Sequence, residues 1–133
     1  MNINDVLGEL DRLYKNKEID KVEEFLMDKL EEAMKDRDTN SVITLLNEMI
    51  GYQRDSGQYD KSILYSNQVM KLMENLGLSS STYYGTTLIN VANAYRAAGK
   101  LEEALTFFNQ VFELYEGQID KQDMLYANLY NNM

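Results

Sequence analysis

Apolar residues recur every three or four positions along almost the whole chain, with polar residues between them. The pattern is clearest over residues 84–116, where two stripes stand on either side of Gly99. The first stripe is Leu88, Val91, Ala92 and Tyr95, and the second is Leu101, Ala104, Leu105, Phe108, Val111, Phe112 and Tyr115. This spacing places one face of a helix in a core. Glycine supplies the left-handed backbone that ends one helix and lets the next fold back, so the stretch predicts a helical hairpin.

The same spacing predicts helices before and after this hairpin. They span about residues 3–15, 18–35, 41–56 and 58–76, and a seventh begins within 121–133. Polar or glycine-containing turns separate them, with serines at 79–81 and Asp38, Thr39 or Asn40 as candidate helix caps. The chain contains no proline and little glycine. These features together predict an all-α protein.

An internal repeat organises the helices. A shift of 42 positions pairs Arg54 with Arg96, Gly57 with Gly99, and the triplet 67–69 with 109–111. We therefore expect one domain over residues 1–133, with units at about 3–36, 41–77 and 82–118 and a partial unit at 120–133.

The pattern at the end of the chain predicts a repeat that is only partly built. Met133 falls at a mid-helix position, so we expect a fragment of a longer repeat protein. We expect an uncovered apolar stripe that promotes self-association. Its predicted members are Leu125, Leu129, Tyr130 and Met133.

The hairpin over 84–116 resembles the tetratricopeptide repeat, a family of stacked helical hairpins. The residues at the family's characteristic offsets are Leu88, Val91, Ala92, Tyr95, Gly99, Ala104, Phe108 and Val111. A period near 42 exceeds the family's usual value of about 34. It is similar to the long-helix variant found in kinesin light chains and in bacterial peptide-sensing regulators. The resemblance implies a right-handed superhelical solenoid of antiparallel hairpins that acts as an interaction scaffold.

In this family, the face of each first helix opposite the buried stripe lines a concave groove. Carried over by position, the candidate peptide-binding residues are Thr44, Asn47, Arg54, Thr86, Asn90, Asn93, Arg96, Asn128 and Asn132. Asparagine amides both donate and accept hydrogen bonds, so they can hold the backbone of an extended peptide. The recurring arginines can pair with carboxylates of a ligand. The alternative is that Arg54 and Arg96 pair with neighbouring acids, stand in water or brace adjacent repeats.

The composition limits which partners, metal sites and catalytic groups this chain can have. The net charge is −9, from 22 acidic and 13 basic residues, which disfavours nucleic acid and anionic membranes as partners. Without histidine or cysteine, the usual metal sites and nucleophile–base pairs lack their parts. Residues 36–47 begin like a calcium-binding loop, with oxygen-bearing side chains at alternate positions. However, Ser41 stands at the sixth position, where the loop needs glycine, and Asn47 at the twelfth, where it needs a bidentate glutamate. We therefore expect no enzyme activity, no metal and no cofactor.

Two functions fit these observations. The first is a scaffold that holds a protein or peptide segment in the groove. The alternative is the repeat portion of a bacterial regulator in which a signalling peptide changes the curvature of the repeats. The first residues show no signal peptide, and no apolar run is long enough to span a membrane, so we expect a cytoplasmic location.

Overall fold

The computed structural model describes residues 1–120 and 123–133, and all regular structure in those ranges is helical. The helices are α1 Ile3–Lys15, α2 Val22–Lys35, α3 Thr39–Asp55, α4 Tyr59–Asn75, α5 Thr82–Ala97, α6 Leu101–Tyr115 and α7 Met124–Asn132. The prediction of an all-α fold is confirmed. The predicted seventh helix also included residues 121 and 122, which lie outside the described residues.

Helix starts follow the capping chemistry of the sequence. Asp38 accepts hydrogen bonds from the backbone N–H of Ser41 at 3.3 Å and from its hydroxyl at 2.6 Å. Ser81 accepts from the N–H of Tyr84 at 3.2 Å and begins α5 in the same way. The second predicted helix differs, because it opens with a 3₁₀ turn at Ile19–Lys21 that has no side-chain cap. The α-helix therefore begins only at Val22.

The hairpin turns share one backbone geometry. Gly57 and Gly99 have φ values of 76° and 81°, which confirms the predicted left-handed turns. After each, the next N–H bonds back to a carbonyl five residues earlier, Gln58 to Gln53 at 2.8 Å and Lys100 to Tyr95 at 2.9 Å. This is the hydrogen-bond pattern of a Schellman cap. The first hairpin uses the same turn with Lys17 at φ 59°.

The hairpins stack along the chain and build a solenoid. α3 packs on α4 and α5 on α6, while α2 packs on α3 and α4 on α5. The first helices also touch each other in order, α3 with α5 and α5 with α7. One continuous core results, and it includes Leu26, Ile43, Met49, Val69, Leu88, Val91 and Tyr115. The polar faces of α1, α3 and α5 remain outside it.

The prediction that Leu129 lies uncovered is wrong. Leu129 is fully buried and Tyr126 nearly so. The reason is that α7 packs back onto α5 and α6, so its apolar stripe is covered by the preceding hairpin. Leu125 is half-buried against the core, whereas Tyr130 and Met133 are exposed.

Candidate functional site

A cleft of about 500 Å³ opens on the side of the solenoid formed by the first helices. It is lined by Tyr14, Thr44, Asn47, Glu48, Gly51, Tyr52, Arg54, Asp55, Tyr83, Thr86, Thr87 and Asn90. These residues come from α1, α3 and α5, because the face of each first helix opposite the buried stripe turns toward the same side. The cleft therefore contains five of the nine candidate residues: Thr44, Asn47, Arg54, Thr86 and Asn90.

The remaining candidates lie toward the C-terminal end of the same side. A second cleft on this side, of about 350 Å³, is lined by Arg54, Asn93, Arg96, Ala97 and Asn132. Of these two clefts, the one of about 500 Å³ is the larger cleft and the other the smaller cleft. Asn128 lines neither cleft. Its side-chain oxygen accepts a hydrogen bond from Asn132 at 3.1 Å.

The asparagines of the larger cleft join neighbouring repeats. Asn90 Nδ2 donates to the backbone oxygen of Asn47 at 3.0 Å and to its side-chain oxygen at 3.1 Å. Asn47 Nδ2 in turn donates to Thr87 Oγ1 at 3.2 Å. These bonds connect α3 to α5, so both amides form part of a rigid cleft wall.

The arginines brace the same interfaces. Arg54 Nη1 donates to Asn90 Oδ1 at 3.3 Å, and its Nε lies 3.3 Å from Asp55 Oδ1. Arg96 Nη1 donates to the backbone oxygen of Asn132 at 2.6 Å, and Nη2 donates to Asn93. Each arginine thus joins its own first helix to the first helix of the next unit. Contact of either guanidinium with a ligand stays a prediction.

Sequence reasoning missed the tyrosines of the cleft. Tyr14 and Tyr83 are 38% and 41% exposed, and Tyr52 is half-buried beside them. An apolar or aromatic residue at helical spacing is usually read as core, which is why these rings were not singled out. Their position on the polar face of each first helix was the available signal.

Glu48, which its position in the repeat already places on the groove face, differs from the other lining residues in its surroundings, and the sequence did not show that difference. It lines the cleft, and partial burial raises the pKa of its carboxyl above the ordinary range. Within residues 1–120 and 123–133, no side chain donates a hydrogen bond to this carboxylate or forms an ion pair with it. The repeat offers a signal, since Glu48 occupies the position of Asn90 and Asn132 in later units.

In the part of the chain that the structure describes, the acidic side chains form no group of three that could hold a metal ion. Within the same ranges, no helix has both the length and the apolar character needed to cross a membrane.

Comparison with known proteins agrees with this architecture. The family model for the tetratricopeptide repeat matches residues 41–117, which is more than half of the chain. A comparison with curated protein sequences finds no significant match. The crystal structure of BtubC (BKLC) from P. vanneervenii is similar in fold, with a TM-score of 0.84 and 20% identity over 98% of this chain. The alignment covers 52% of BtubC, so the chain spans about half of that protein.

Proposed function

Because the chain belongs to the tetratricopeptide-repeat family, whose members generally act as protein-interaction scaffolds, we propose that it is a non-catalytic scaffold that binds a protein or peptide segment in its larger cleft. The observation that supports this is the open cleft itself, in which polar residues of α3 and α5 meet three tyrosines. Its volume lies within the range of about 300–1,000 Å³ that is typical of ligand pockets.

Each kind of lining residue has a different part in this binding. Asn47 and Asn90 are bonded to each other, so they fix the shape of the wall. Tyr14 and Tyr83 are partly exposed and offer large contact areas with few rotatable bonds. Thr86 carries a hydroxyl that can donate to or accept from a peptide backbone.

The proposal can be tested by introducing a large side chain into the cleft. Gly51 lies in the cleft, and a Cβ added there would meet only Arg54 Nη2, at an ordinary 3.6 Å. The backbone at Gly51 therefore has room for a Cβ, and the ring of Gly51→Phe should extend into the cleft and occupy the ligand's space. Gly8→Phe is a matched control, since Gly8 is an exposed helical glycine on α1 with nothing within 4 Å of an added Cβ.

The experiment selects a phage-displayed library of random peptides on the wild-type protein and measures the affinities of the selected peptides. We expect Gly51→Phe to weaken binding at least about tenfold, equivalent to roughly 1.4 kcal/mol, and Gly8→Phe to leave it unchanged. Circular dichroism checks that both variants are folded. Failure to select any peptide, or equal binding to Gly51→Phe, would contradict the proposal.

Other sequence predictions stay predictions. They are a cytoplasmic location, a lack of binding to nucleic acid or membranes, self-association through the exposed residues of α7, and the alternative of a bacterial peptide-responsive regulator. The exposed Tyr130 and Met133 are where self-association would occur.

A further inference from the structure

We propose that the larger cleft binds a basic side chain, lysine or arginine, of the protein segment it holds, and that Glu48 is the counter-ion of that side chain. This inference rests on the proposed function, because it names the chemistry of the bound segment. It is carried by a difference between successive repeat interfaces, by the open cleft at one of them and by the charges that line it.

The interfaces that follow the second and third units each contain an arginine at an equivalent position. In each of them an arginine donates to the asparagine 36 positions further on, Arg54 to Asn90 and Arg96 to Asn132. The acceptor is the side-chain oxygen in the first case and the backbone oxygen in the second. The equivalent position in the second unit is Glu48, so the same 36-residue spacing would place the arginine of the first unit next to Glu48.

In the first unit, the equivalent arginine does not contact Glu48. The equivalent residue is Arg12, whose Nε and Nη2 donate to the two carboxylate oxygens of Glu9 at 2.9 and 2.6 Å. Its remaining donor, Nη1, lies 3.5 Å from Glu18. Glu48 therefore has no cationic partner among the described residues, and the place where one would lie opens into the cleft.

The walls of the cleft suit a basic side chain. The faces of aromatic rings attract ammonium and guanidinium groups, and Tyr14, Tyr52 and Tyr83 line the same cleft as Glu48. The aliphatic stem of lysine or arginine can lie along the same rings while its charged end reaches the carboxylate.

The local charge favours a cation over an anion. Glu48 and Asp55 are the acidic residues of the lining, and Arg54 is its cationic residue. The Arg54 guanidinium is already hydrogen-bonded to Asn90 and paired with Asp55. The net charge of −9 attracts cationic segments over a longer range. A ligand carboxylate in this cleft would face an uncompensated glutamate.

Partial desolvation explains why Glu48 should respond to a ligand. Burial raises the pKa of its carboxyl, so the ionised form is poorly solvated in the free protein. A cation that enters the cleft replaces the missing solvation and also forms a charge-assisted hydrogen bond. Binding should therefore stabilise the ionised carboxylate and lower its pKa.

The probes are four pools of heptapeptides, each acetylated and amidated so that side chains alone carry charge. The central residue is lysine, arginine, norleucine or glutamate, and the other positions are randomised among uncharged residues. Titration of the ¹⁵N-labelled protein is followed at the amides of Glu48, Gly51 and Thr86. We expect the lysine and arginine pools to bind at least about tenfold more tightly than the norleucine pool, and the glutamate pool more weakly still.

The decisive variant is Glu48→Gln, which keeps the shape of the side chain and removes its charge. It should reduce binding of the lysine pool to the level of the norleucine pool. Glu102→Gln removes the same charge from an exposed position on α6 and should change nothing. Wild-type affinity of Glu48→Gln for the lysine pool, or preference for the glutamate pool, would overturn the inference.

The two proposals can fail separately. If all four pools shift the cleft amides equally, the cleft binds peptides and the inference about charge is wrong. If no pool shifts them, while the protein remains folded, the proposed function fails as well.

Discussion

The second hairpin, α3–α4, and the third, α5–α6, are equivalent units 42 residues apart, yet they fill their cores differently. The third places Gly85 where the second has Ile43, and Tyr115 where the second has Met73. A Cβ on Gly85 would overlap the Tyr115 ring and come within 3.0 Å of its Cζ and hydroxyl oxygen. The small residue of one helix thus accommodates the large residue of the other, and in both units the bulky side chains are fully buried.

The polar face shows a difference of another kind. Asn90 is satisfied by Arg54 and Asn47, whereas Glu48 at the equivalent position has no such partners among the described residues. A difference that the protein compensates is explained by packing. One that it leaves uncompensated, beside an open cleft, is accounted for by the proposed binding of a basic side chain.

The largest expected effect comes from breaking the compensated pair. Gly85→Ile should force the Tyr115 ring out of its place and destabilise the protein by about 3 kcal/mol or more. Adding Tyr115→Met reproduces the pair of the second unit and should recover a large part of that loss. Urea denaturation of both variants, followed by circular dichroism, measures the two values.

The reverse exchange is the control for this pair. Ile43→Gly should leave a cavity and cost about 2–4 kcal/mol, and adding Met73→Tyr should recover part of it. If Gly85→Ile with Tyr115→Met is as unstable as Gly85→Ile alone, the two positions do not compensate each other and the comparison of cores fails.

The parts of the molecule that depend on local chemistry could be predicted from the sequence. Helical periodicity located the helices, and the left-handed preference of glycine located the turns at Gly57 and Gly99. The resemblance to the repeat family indicated which face of each first helix carries the candidate residues, and the 42-residue shift located the equivalent positions in α3 and α5. Whether these residues bind a ligand stays a prediction.

What the sequence did not predict depends on contacts between units. Whether Arg54 points at a ligand or at Asn90 is decided by the separation of two helices and by rotamers, neither of which a pattern contains. The prediction for Leu129 is wrong for a related reason. The apolar stripe of α7 is expected to need a following helix to cover it, but α7 packs on the preceding hairpin instead.

The next largest effect should come from giving the third unit the carboxylate of the second. Asn90→Asp keeps an acceptor for Arg54 but removes the two donations to Asn47, so a carboxylate then faces two oxygens. We expect a loss of about 1–3 kcal/mol at neutral pH, measured by thermal or urea unfolding. Asn131→Asp, at an exposed position of α7, introduces the same charge and should have little effect. Unchanged stability of Asn90→Asp would mean that these bonds do not hold the interface.

The next prediction concerns the left-handed turns, which the hairpins share. Gly99→Val places a β-branched residue at φ 81° and should cost on the order of 1–2 kcal/mol. Lys17 adopts the same conformation at φ 59° in the first hairpin, so Lys17→Gly should instead stabilise the protein, by less than about 1 kcal/mol. Melting temperatures that move in the same direction for both variants would show that the turns are not equivalent.

The smallest expected effect is a higher melting temperature of Glu48→Gln at neutral pH. It tests most directly the difference between Glu48 and Asn90. The titratable groups that line the cleft with Glu48 are Tyr14 from α1, Tyr52, Arg54 and Asp55 from α3, and Tyr83 from α5. Burial raises the pKa of the Glu48 carboxyl in the folded protein above its value in the unfolded chain. The folded state therefore binds this proton more tightly, and the stability from that proton is present in acid and lost as pH rises through the raised pKa.

At neutral pH the ionised carboxylate opposes folding slightly, and glutamine removes that opposition. The advantage of Glu48→Gln should therefore shrink as pH falls and vanish once the wild-type carboxyl is protonated, whereas Glu102→Gln should show no such pH dependence. Scanning calorimetry across this range measures both. A variant that is more stable yet loses its preference for basic peptides would separate Glu48 from Asn90, whose replacement should lower stability. If Glu48→Gln melts earlier than the wild type at neutral pH, Glu48 contributes to folding as Asn90 does, and the distinction between the two interfaces is lost.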